Sequence, residues 1–281
     1  MTQLLLAGGF ALLLWWVGTA SVLYLDGRPR HTWPTSMAAA TVLAVLALGG
    51  LAASAGHATP AAAYLAFACA IAVWGWLEMA FLMGYVTGPD QARCPPDATG
   101  WRRFRLAARA LIHHELALVG ALAAIAALTW HGEQRFGLWA FAALWAMRLS
   151  TKLNIFLGVR NLYENWLPDE LRHLESFFRR RPVNVLFPVS VTLSTLAAVL
   201  LVQAALAPGA SPVEAAGWSL LAALVLLGLL EHWLLILPLP VDALWQWSLR
   251  SRADATEAQG TSTTATPTPP DRERSAAATS G

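Results

Sequence analysis

Ionisable side chains lie inside the most hydrophobic segments of this 281-residue chain, among Ala, Leu, Val, Trp and Phe. The polar set comprises Glu78, His113, His114, Glu115, Arg148, Lys152, Glu231 and His232. A charge in hydrocarbon costs roughly 2.5–3.5 kcal/mol per residue on insertion scales, so such residues usually face the interior of a helical bundle and find partners there. We therefore expect any functional site of this protein to involve the polar set.

Three kinds of chemistry are compatible with the polar set. In the first, Glu78, Glu115 and Glu231 neutralise Arg148 and Lys152 in a buried network of ion pairs that holds helices together. In the second, imidazoles and carboxylates bind a metal ion or the magnesium of a chlorin pigment, although no HxxxH or ExxH pair lies within an apolar segment. The candidate ligands are His114, Glu115, Glu78 and His232. In the third, the polar set forms a proton or solute pathway, although we find no repeat of broken helices of the kind seen in transporters.

The composition indicates a membrane protein. Of its residues, 57% are hydrophobic and 13% are charged, whereas soluble domains carry roughly 25% charged residues. Several apolar runs reach about 20 residues, the length of a transmembrane helix. Because these runs are continuously apolar and do not alternate, they are not the strands of a membrane barrel. We predict an all-α fold, namely a polytopic transmembrane helical bundle.

About seven spans account for the apolar runs. We predict them at residues 3–24, 37–55, 61–87, 106–129, 137–158, 184–206 and 214–237. At a rise of about 1.5 Å per residue, the ionisable residues of four of these spans lie at depths that agree to within about 8 Å. They can therefore meet in one layer of the bundle.

The connections between spans differ sharply in their arginine content, which predicts the orientation of the chain. One set of connections carries Arg28, Arg30, Arg93, Arg102, Arg103, Arg105, Arg160, Arg172, Arg179, Arg180, Arg181, Arg250 and Arg252. The opposite set carries only Arg135. Because Arg and Lys concentrate on the cytoplasmic side of membrane proteins, we expect the N-terminus outside and the C-terminus in the cytoplasm.

The connection at residues 159–183 contains a candidate surface helix. Leu and Phe recur at helical spacing, so we predict an amphipathic cytoplasmic helix at about 166–181. One interpretation is a helix that anchors the bundle at anionic lipid headgroups, and the other is a docking surface for a protein partner. The residues of this partner or lipid surface are Phe177, Phe178, Arg179, Arg180 and Arg181.

The chain divides into two parts. Residues 1–250 form the predicted transmembrane domain, which ends in a short interfacial piece with Trp245 and Trp247. Residues 251–281 consist largely of Ala, Thr, Ser, Pro and Gly with scattered charge. Such a composition cannot bury a core, so we predict a disordered cytoplasmic tail.

Several stretches together resemble a known family. They are 23–27 (LYLDG), 74–76 (WGW), 81–89 (FLMGYVTGP), 114–116 (HEL), 144–148 (LWAMR), 152–154 (KLN), 158–161 (GVRN) and 176–182 (SFFRRRP). Across about residues 5–250 the chain resembles the photosynthetic complex assembly protein 2 family (PuhE) of purple and aerobic anoxygenic phototrophic bacteria. The resemblance brings Asn154 into the polar set, because this residue lies in one of the shared stretches. The family has no established catalytic residues, so none is assigned here.

The resemblance implies a multi-pass protein of the bacterial inner membrane, cytoplasmic or intracytoplasmic. Its role would be to assist assembly of the photosynthetic reaction centre and core antenna, or their bacteriochlorophyll supply. The expected partners are membrane lipids and reaction-centre or core-antenna polypeptides, with no nucleic acid. One alternative is a membrane enzyme or a metal- or pigment-handling protein of tetrapyrrole metabolism, and another is a transporter.

Overall fold

A computed structural model describes residues 2–162 and 167–238. Seven α-helices account for most of these residues. They are α1 (Thr2–Asp26), α2 (Trp33–Ala55), α3 (Pro60–Leu82), α4 (Gly100–Thr129), α5 (Phe136–Leu157), α6 (Leu186–Ala205) and α7 (Pro212–Leu234). Short 3-10 helices span Arg30–Thr32 and Asp169–Phe177. The predicted tail and the interfacial piece with Trp245 and Trp247 lie outside the described residues.

The prediction of an all-α fold is confirmed for the described residues, which form no β-sheet. Their one isolated β-bridge joins Val159 and Arg180. Six of the seven α-helices are long and apolar enough to cross a membrane, and α5 is the exception. α5 has a similar length, but it carries Arg148, Lys152 and Asn154. Its composition therefore does not mark it as a span by itself.

Local sequence explains where several helices begin and end. α3 begins after Thr59, whose hydroxyl accepts a hydrogen bond from the Ala62 amide. α7 begins after Ser211, which forms a capping box with Glu214. α5 ends at Gly158, whose φ of 122° favours glycine. Each boundary lies within a few residues of the predicted one.

Helices α3 and α7 lie at the centre of the bundle. In an apolar stretch of 18 residues, 50% of the α3 residues and 56% of the α7 residues are buried. The corresponding share is 17–22% in α1, α2, α4 and α6. Glycines allow close approach between helices: a Cβ on Gly217 of α7 would overlap the Phe136 ring, and one on Gly137 of α5 would overlap Leu51. The main hydrophobic core therefore fills the half of the bundle that contains the start of α3, α5 and α7.

The opposite end of the bundle carries the arginine-rich connections, and we call it the basic end. Here the predicted third span, 61–87, is too long, because α3 already stops at Leu82. Gly84 follows with φ +77°, and Gly88 then packs so closely on α4 that a Cβ would overlap the Arg109 carbonyl. The fourth helix begins six residues earlier than predicted, and it therefore extends past the end of α3.

The connection between α5 and α6 packs against the basic end of the bundle. Its helix is a 3-10 helix over Asp169–Phe177, which is shorter than the predicted amphipathic helix at 166–181. Residue 166, the first of that predicted helix, lies outside the described residues. Leu171, Leu174 and Phe177 are buried against α3 and α4. Burial also lowers the pKa of the His173 imidazole below its ordinary value.

The burial of Phe177 corrects the predicted partner or lipid surface. Phe177 is 5% exposed and belongs to the packed core of the connection. Its carbonyl accepts a hydrogen bond from the buried Arg103 guanidinium, which ties the connection to α4. Phe178 and Arg179 are half-buried, and Arg180 and Arg181 are exposed. The outer surface of this connection is therefore cationic, because its aromatic side is used to complete the fold.

Candidate functional site: a polar cluster beside an intramembrane cavity

Most of the polar set converges near the basic end of the bundle. Glu78 lies four residues before the end of α3, and Glu231 lies three residues before the end of α7. Arg148 and Lys152 lie in the second half of α5. His114 lies near the middle of α4, and it reaches the same level because α4 extends beyond α3. The layer thus lies close to the helix ends, whereas the predicted span limits gave Glu78 a deeper position.

Arg148 and Glu78 form the ion pair that the sequence suggested. Arg148 Nη2 lies 3.3 Å from Glu78 Oε2. The Glu78 side chain is 10% exposed, whereas the Arg148 side chain remains 39% exposed. Within the described chain, neither Glu78 Oε1 nor Arg148 Nε has a hydrogen-bond partner. The pair is therefore joined through a single contact, and both side chains keep unused hydrogen-bonding capacity.

Lys152 is held more tightly than Arg148. Its Nζ lies 2.7 Å from Glu115 Oε1, and the other Glu115 oxygen accepts a hydrogen bond from Trp145 Nε1 at 3.2 Å. The ammonium group also lies 5.5 Å from the centre of the Phe81 ring, a cation–π distance. These contacts give each Glu115 oxygen a partner and fix α4 against α5.

Glu231 of α7 links α1 and α7 to the charged cluster. The indole Nε1 of Trp15 in α1 donates a hydrogen bond to Glu231 Oε1 at 3.2 Å. Glu231 also interacts electrostatically with Arg148, whose charge it helps to balance. The guanidinium of α5 is therefore influenced by carboxylates from both α3 and α7.

The two neighbouring histidines of α4 behave differently. His114 is fully buried, with its ring 4.4 Å from the Phe81 ring and its Nε2 3.8 Å from Glu78 Oε1. That distance exceeds a hydrogen bond, and neither ring nitrogen has a partner among the described residues. His113 is exposed on the outside of the helix. Its predicted membership of the cluster is wrong, because consecutive helical residues point about 100° apart.

A second group of polar residues, which we call the neutral network, joins α5, α6 and α7. Ser150 Oγ donates to Ser190 Oγ at 2.9 Å and lies 2.8 Å from His232 Nε2, while His232 Nδ1 lies 2.8 Å from the Gly228 carbonyl. Asn154 Nδ2 donates to Ser190 Oγ at 3.0 Å. Asn154 and His232, two members of the predicted polar set, thus belong to this network and not to the charged cluster.

Asn184 completes the neutral network at the start of α6. Its Nδ2 donates to Asn154 Oδ1 at 3.1 Å and to the Gly158 carbonyl at 2.9 Å. Its Oδ1 accepts hydrogen bonds from the Leu186 and Phe187 amides, so it caps α6. Sequence reasoning missed Asn184, Ser150 and Ser190. The available signal was the spacing of Ser150 and Asn154, which places two small polar side chains on one face of an apolar helix.

A cavity of about 400 Å³ lies beside the charged cluster. Apolar side chains from α1, α3, α5 and α7 form most of its wall, including Val22, Ile71, Trp74, Leu144 and Leu224. Its charged wall consists of Glu78, Arg148, Lys152 and Glu231. Side chains of the α5–α6 connection close one side, namely Leu167, Leu174, Phe177 and Phe178. The arrangement can bind a largely apolar molecule and offer it hydrogen bonds at one place.

The candidate metal and pigment ligands do not line this cavity as a group. Of His114, Glu115, Glu78 and His232, only Glu78 contributes to its wall. Both His232 nitrogens already have partners. Over residues 2–162 and 167–238, no three His, Cys, Asp or Glu side chains are grouped so that they could hold a metal ion. The described geometry therefore offers a hydrogen-bonding cavity but no assembled metal centre.

Comparisons with known proteins give a family. A family model described as "Protein of unknown function (DUF3623)" matches residues 1–256. A relative from Rhodobacter capsulatus, named "Uncharacterized 30.4 kDa protein in puhA 5'region", is 40% identical over 240 residues. These residues make up 83% of this chain and 86% of the relative. No solved structure matches the chain. Because the family model matches most of the 281 residues, the chain belongs to the DUF3623 family.

Proposed function

We propose that this protein is an inner-membrane factor that assists assembly of the photosynthetic reaction centre and core antenna, or their bacteriochlorophyll supply. The observation that carries the proposal is the cavity of about 400 Å³ inside a membrane bundle, with a charged wall at one place. The relative named for the puhA region and the sequence resemblance to the photosynthetic complex assembly family support the same biological setting.

The cavity is suited to handling a membrane-soluble molecule. Its walls are mostly apolar, so such a molecule can leave the lipid without losing its apolar surroundings. Arg148 lies in the wall with a side chain that is 39% exposed, and it bonds Glu78 through Nη2, which gives the site a means of orienting what it binds. A protein that only scaffolded other subunits would need neither the cavity nor partly unpaired charges, which are costly inside a membrane.

The proposed topology has seven spans, with the N-terminus outside and the C-terminus in the cytoplasm. α5 is included because it packs within the same bundle and its cations are paired with α3 and α4. A reporter that works only in the cytoplasm should be active when it is fused after residue 250. A reporter that works only in the periplasm should be active when it is placed in the 56–60 loop or the 207–211 loop. Periplasmic activity of the fusion after residue 250 would contradict this topology.

The proposed partners are membrane lipids and reaction-centre or core-antenna polypeptides. Arg180 and Arg181 are exposed on the outer surface of the α5–α6 connection, where anionic headgroups or an acidic partner segment can reach them. Changing Arg179, Arg180 and Arg181 together to Gln should reduce complex assembly while the protein remains in the membrane. Unchanged assembly would show that the α5–α6 connection is not part of the partner surface.

The test of the proposed function is deletion of the gene in a phototrophic host. Near-infrared absorbance of intact membranes, normalised to transcripts of the complex subunits, should fall or the bacteriochlorophyll level should change. Complementation then asks whether the cavity matters. Gly18 lines the cavity, and a Cβ there makes only an ordinary contact with Ile71, so Gly18→Phe should fill the space without disrupting the backbone.

The matched control uses the same substitution on the same helix. Gly9 is exposed and has open space around it, so Gly9→Phe should restore absorbance like the unaltered protein. The Gly18→Phe protein should accumulate in the membrane but should not restore the near-infrared absorbance. If deletion leaves both pigment level and complex absorbance unchanged, the proposed role is wrong. If both variants complement equally, the cavity is not used in that role.

A further inference from the structure

We propose that the cavity binds a neutral amphipathic molecule with an apolar body and a carbonyl oxygen, and that Arg148 donates a hydrogen bond to this oxygen. The inference rests on the proposed function, because it names the ligand class of the same cavity. Its support comes from three properties of the described wall: its apolar surface, the incomplete pairing of Arg148, and the balance of its charges.

The apolar body of the ligand follows from the wall. Trp74, Ile71 and Leu144 lie along the cavity, and Leu224 and Leu227 face it from α7. A site of about 400 Å³ lies in the range that encloses a drug-sized molecule, or the head of a longer one. Polar groups are confined to one part of the wall, so a ligand with polar groups over its whole surface would leave most of them unpaired.

The hydrogen-bond acceptor on the ligand follows from Arg148. A guanidinium carries five N–H donors, and this one uses Nη2 for Glu78 while Nε has no partner in the described chain. Its side chain is 39% exposed, against 17% for Lys152, whose ammonium is already bonded to Glu115. Arg148 is therefore the more exposed of the two cations in the described wall, and its guanidinium has more donors free than the Lys152 ammonium. A carbonyl or ester oxygen accepts such donors without bringing a charge.

The neutrality of the ligand follows from the charges of the wall. Among the described lining residues, Arg148 and Lys152 are cations, and Glu78 and Glu231 are carboxylates. Lys152 is already paired with Glu115 and Arg148 with Glu78, so neither cation of the wall lacks a carboxylate. A ligand carboxylate would bring an additional negative charge into a mostly apolar space, beside two carboxylates. Burying an uncompensated charge costs several kcal/mol, so a neutral head is favoured over an anionic one.

Two membrane-soluble sources carry this chemistry, namely quinones and esters of ring-ketone chlorins. Binding to the full-length purified protein in detergent can separate them, with decylubiquinone and methyl pyropheophorbide as neutral probes. Free-acid pyropheophorbide is the matched anionic probe, because it differs from the methyl ester only at the carboxyl group. Trp15 and Trp74 lie in the cavity wall, so quenching of tryptophan fluorescence reports occupancy.

We expect saturable binding of one or both neutral probes, at one per chain, and binding of the free acid weaker by about tenfold or more. Gly18→Phe should abolish this binding, and Gly9→Phe should preserve it. The double variant Glu78→Gln with Arg148→Met removes both members of the pair, so the net charge of the wall does not change. The affinity for the neutral probe should fall by about tenfold in this variant. Arg135→Met, at the opposite end of α5, should leave the affinity unchanged.

Several outcomes would overturn the inference. Equal or tighter binding of the free acid would exclude the neutral head, and binding that survives Gly18→Phe would exclude the cavity. Failure of both neutral probes to bind would exclude the ligand class. Binding of only one probe supports the inference and identifies the source. Because these measurements use purified protein, they can fail while gene deletion still reduces complex absorbance, so the two failures are distinguishable.

Discussion

The charged cluster and the neutral network are two polar regions of one membrane bundle, and they are completed to different degrees. In the neutral network, Asn154, Asn184 and His232 have their side-chain groups bonded within the protein. In the charged cluster, Glu78 and Arg148 share one contact of 3.3 Å and retain unpartnered atoms. The cavity lies beside the incomplete region. Complete polar networks fix a fold, whereas incomplete ones keep capacity for a ligand.

The largest effect should come from the centre of the neutral network. Asn184→Ala removes the bonds to Asn154 and Gly158 and the cap of α6. Each buried group left unpaired costs about 1–3 kcal/mol, and several are affected together. We expect severe loss of folded protein, measured as the monodisperse fraction in size-exclusion chromatography. A variant with normal yield would show that this network does not determine the packing of α6.

Breaking the charged pair should have the next largest effect. Arg148→Leu leaves Glu78 as an unpaired carboxylate, and the loss of one partner from a fully buried pair costs about 3–5 kcal/mol. We expect a smaller loss here, because the Arg148 side chain is 39% exposed. Adding Glu78→Gln should recover part of the folded yield. Strictly additive losses in this double-mutant cycle would mean that the two residues do not interact.

A matched pair of histidine substitutions sharpens the comparison. His232 and His114 are both fully buried, but only His232 has hydrogen bonds to its ring nitrogens. His232→Leu should lower thermal stability, since it removes the bonds to Ser150 and Gly228, each worth about 1 kcal/mol. The measurement is the temperature at which half of the protein remains monodisperse. A midpoint equal to that of the unaltered protein would refute the assigned role of His232.

The smallest effect should come from His114→Leu. This change removes an imidazole without hydrogen bonds and keeps a similar volume, so it should alter stability by less than about 1.5 kcal/mol. It should also leave binding of the neutral probes unchanged, because His114 does not line the cavity. Loss of a bound pigment or metal in this variant, with folded protein retained, would instead identify His114 as a ligand.

Much of the fold could be predicted from the amino-acid sequence. Helix α2 was predicted at 37–55 and forms at Trp33–Ala55, and α5 was predicted at 137–158 and forms at Phe136–Leu157. The pairing of Arg148 and Lys152 with carboxylates of other helices also followed from the sequence, because charges in apolar segments must be neutralised nearby. The errors in the helix limits occur where the chain leaves regular helix. The third span ends at Leu82, since the following residues fold back onto α4.

The sequence by itself determined which segments are helical and which residues must be paired, because length, hydrophobicity and charge act locally along the chain. Tertiary structure decided which side of a helix faces inward, and so it separated exposed His113 from buried His114. It also brought Ser190 and Asn184 to Asn154, although single small polar residues give little indication of their partners. The cavity lies where five helices and a connection meet. Its shape depends on long-range packing that no local pattern contains.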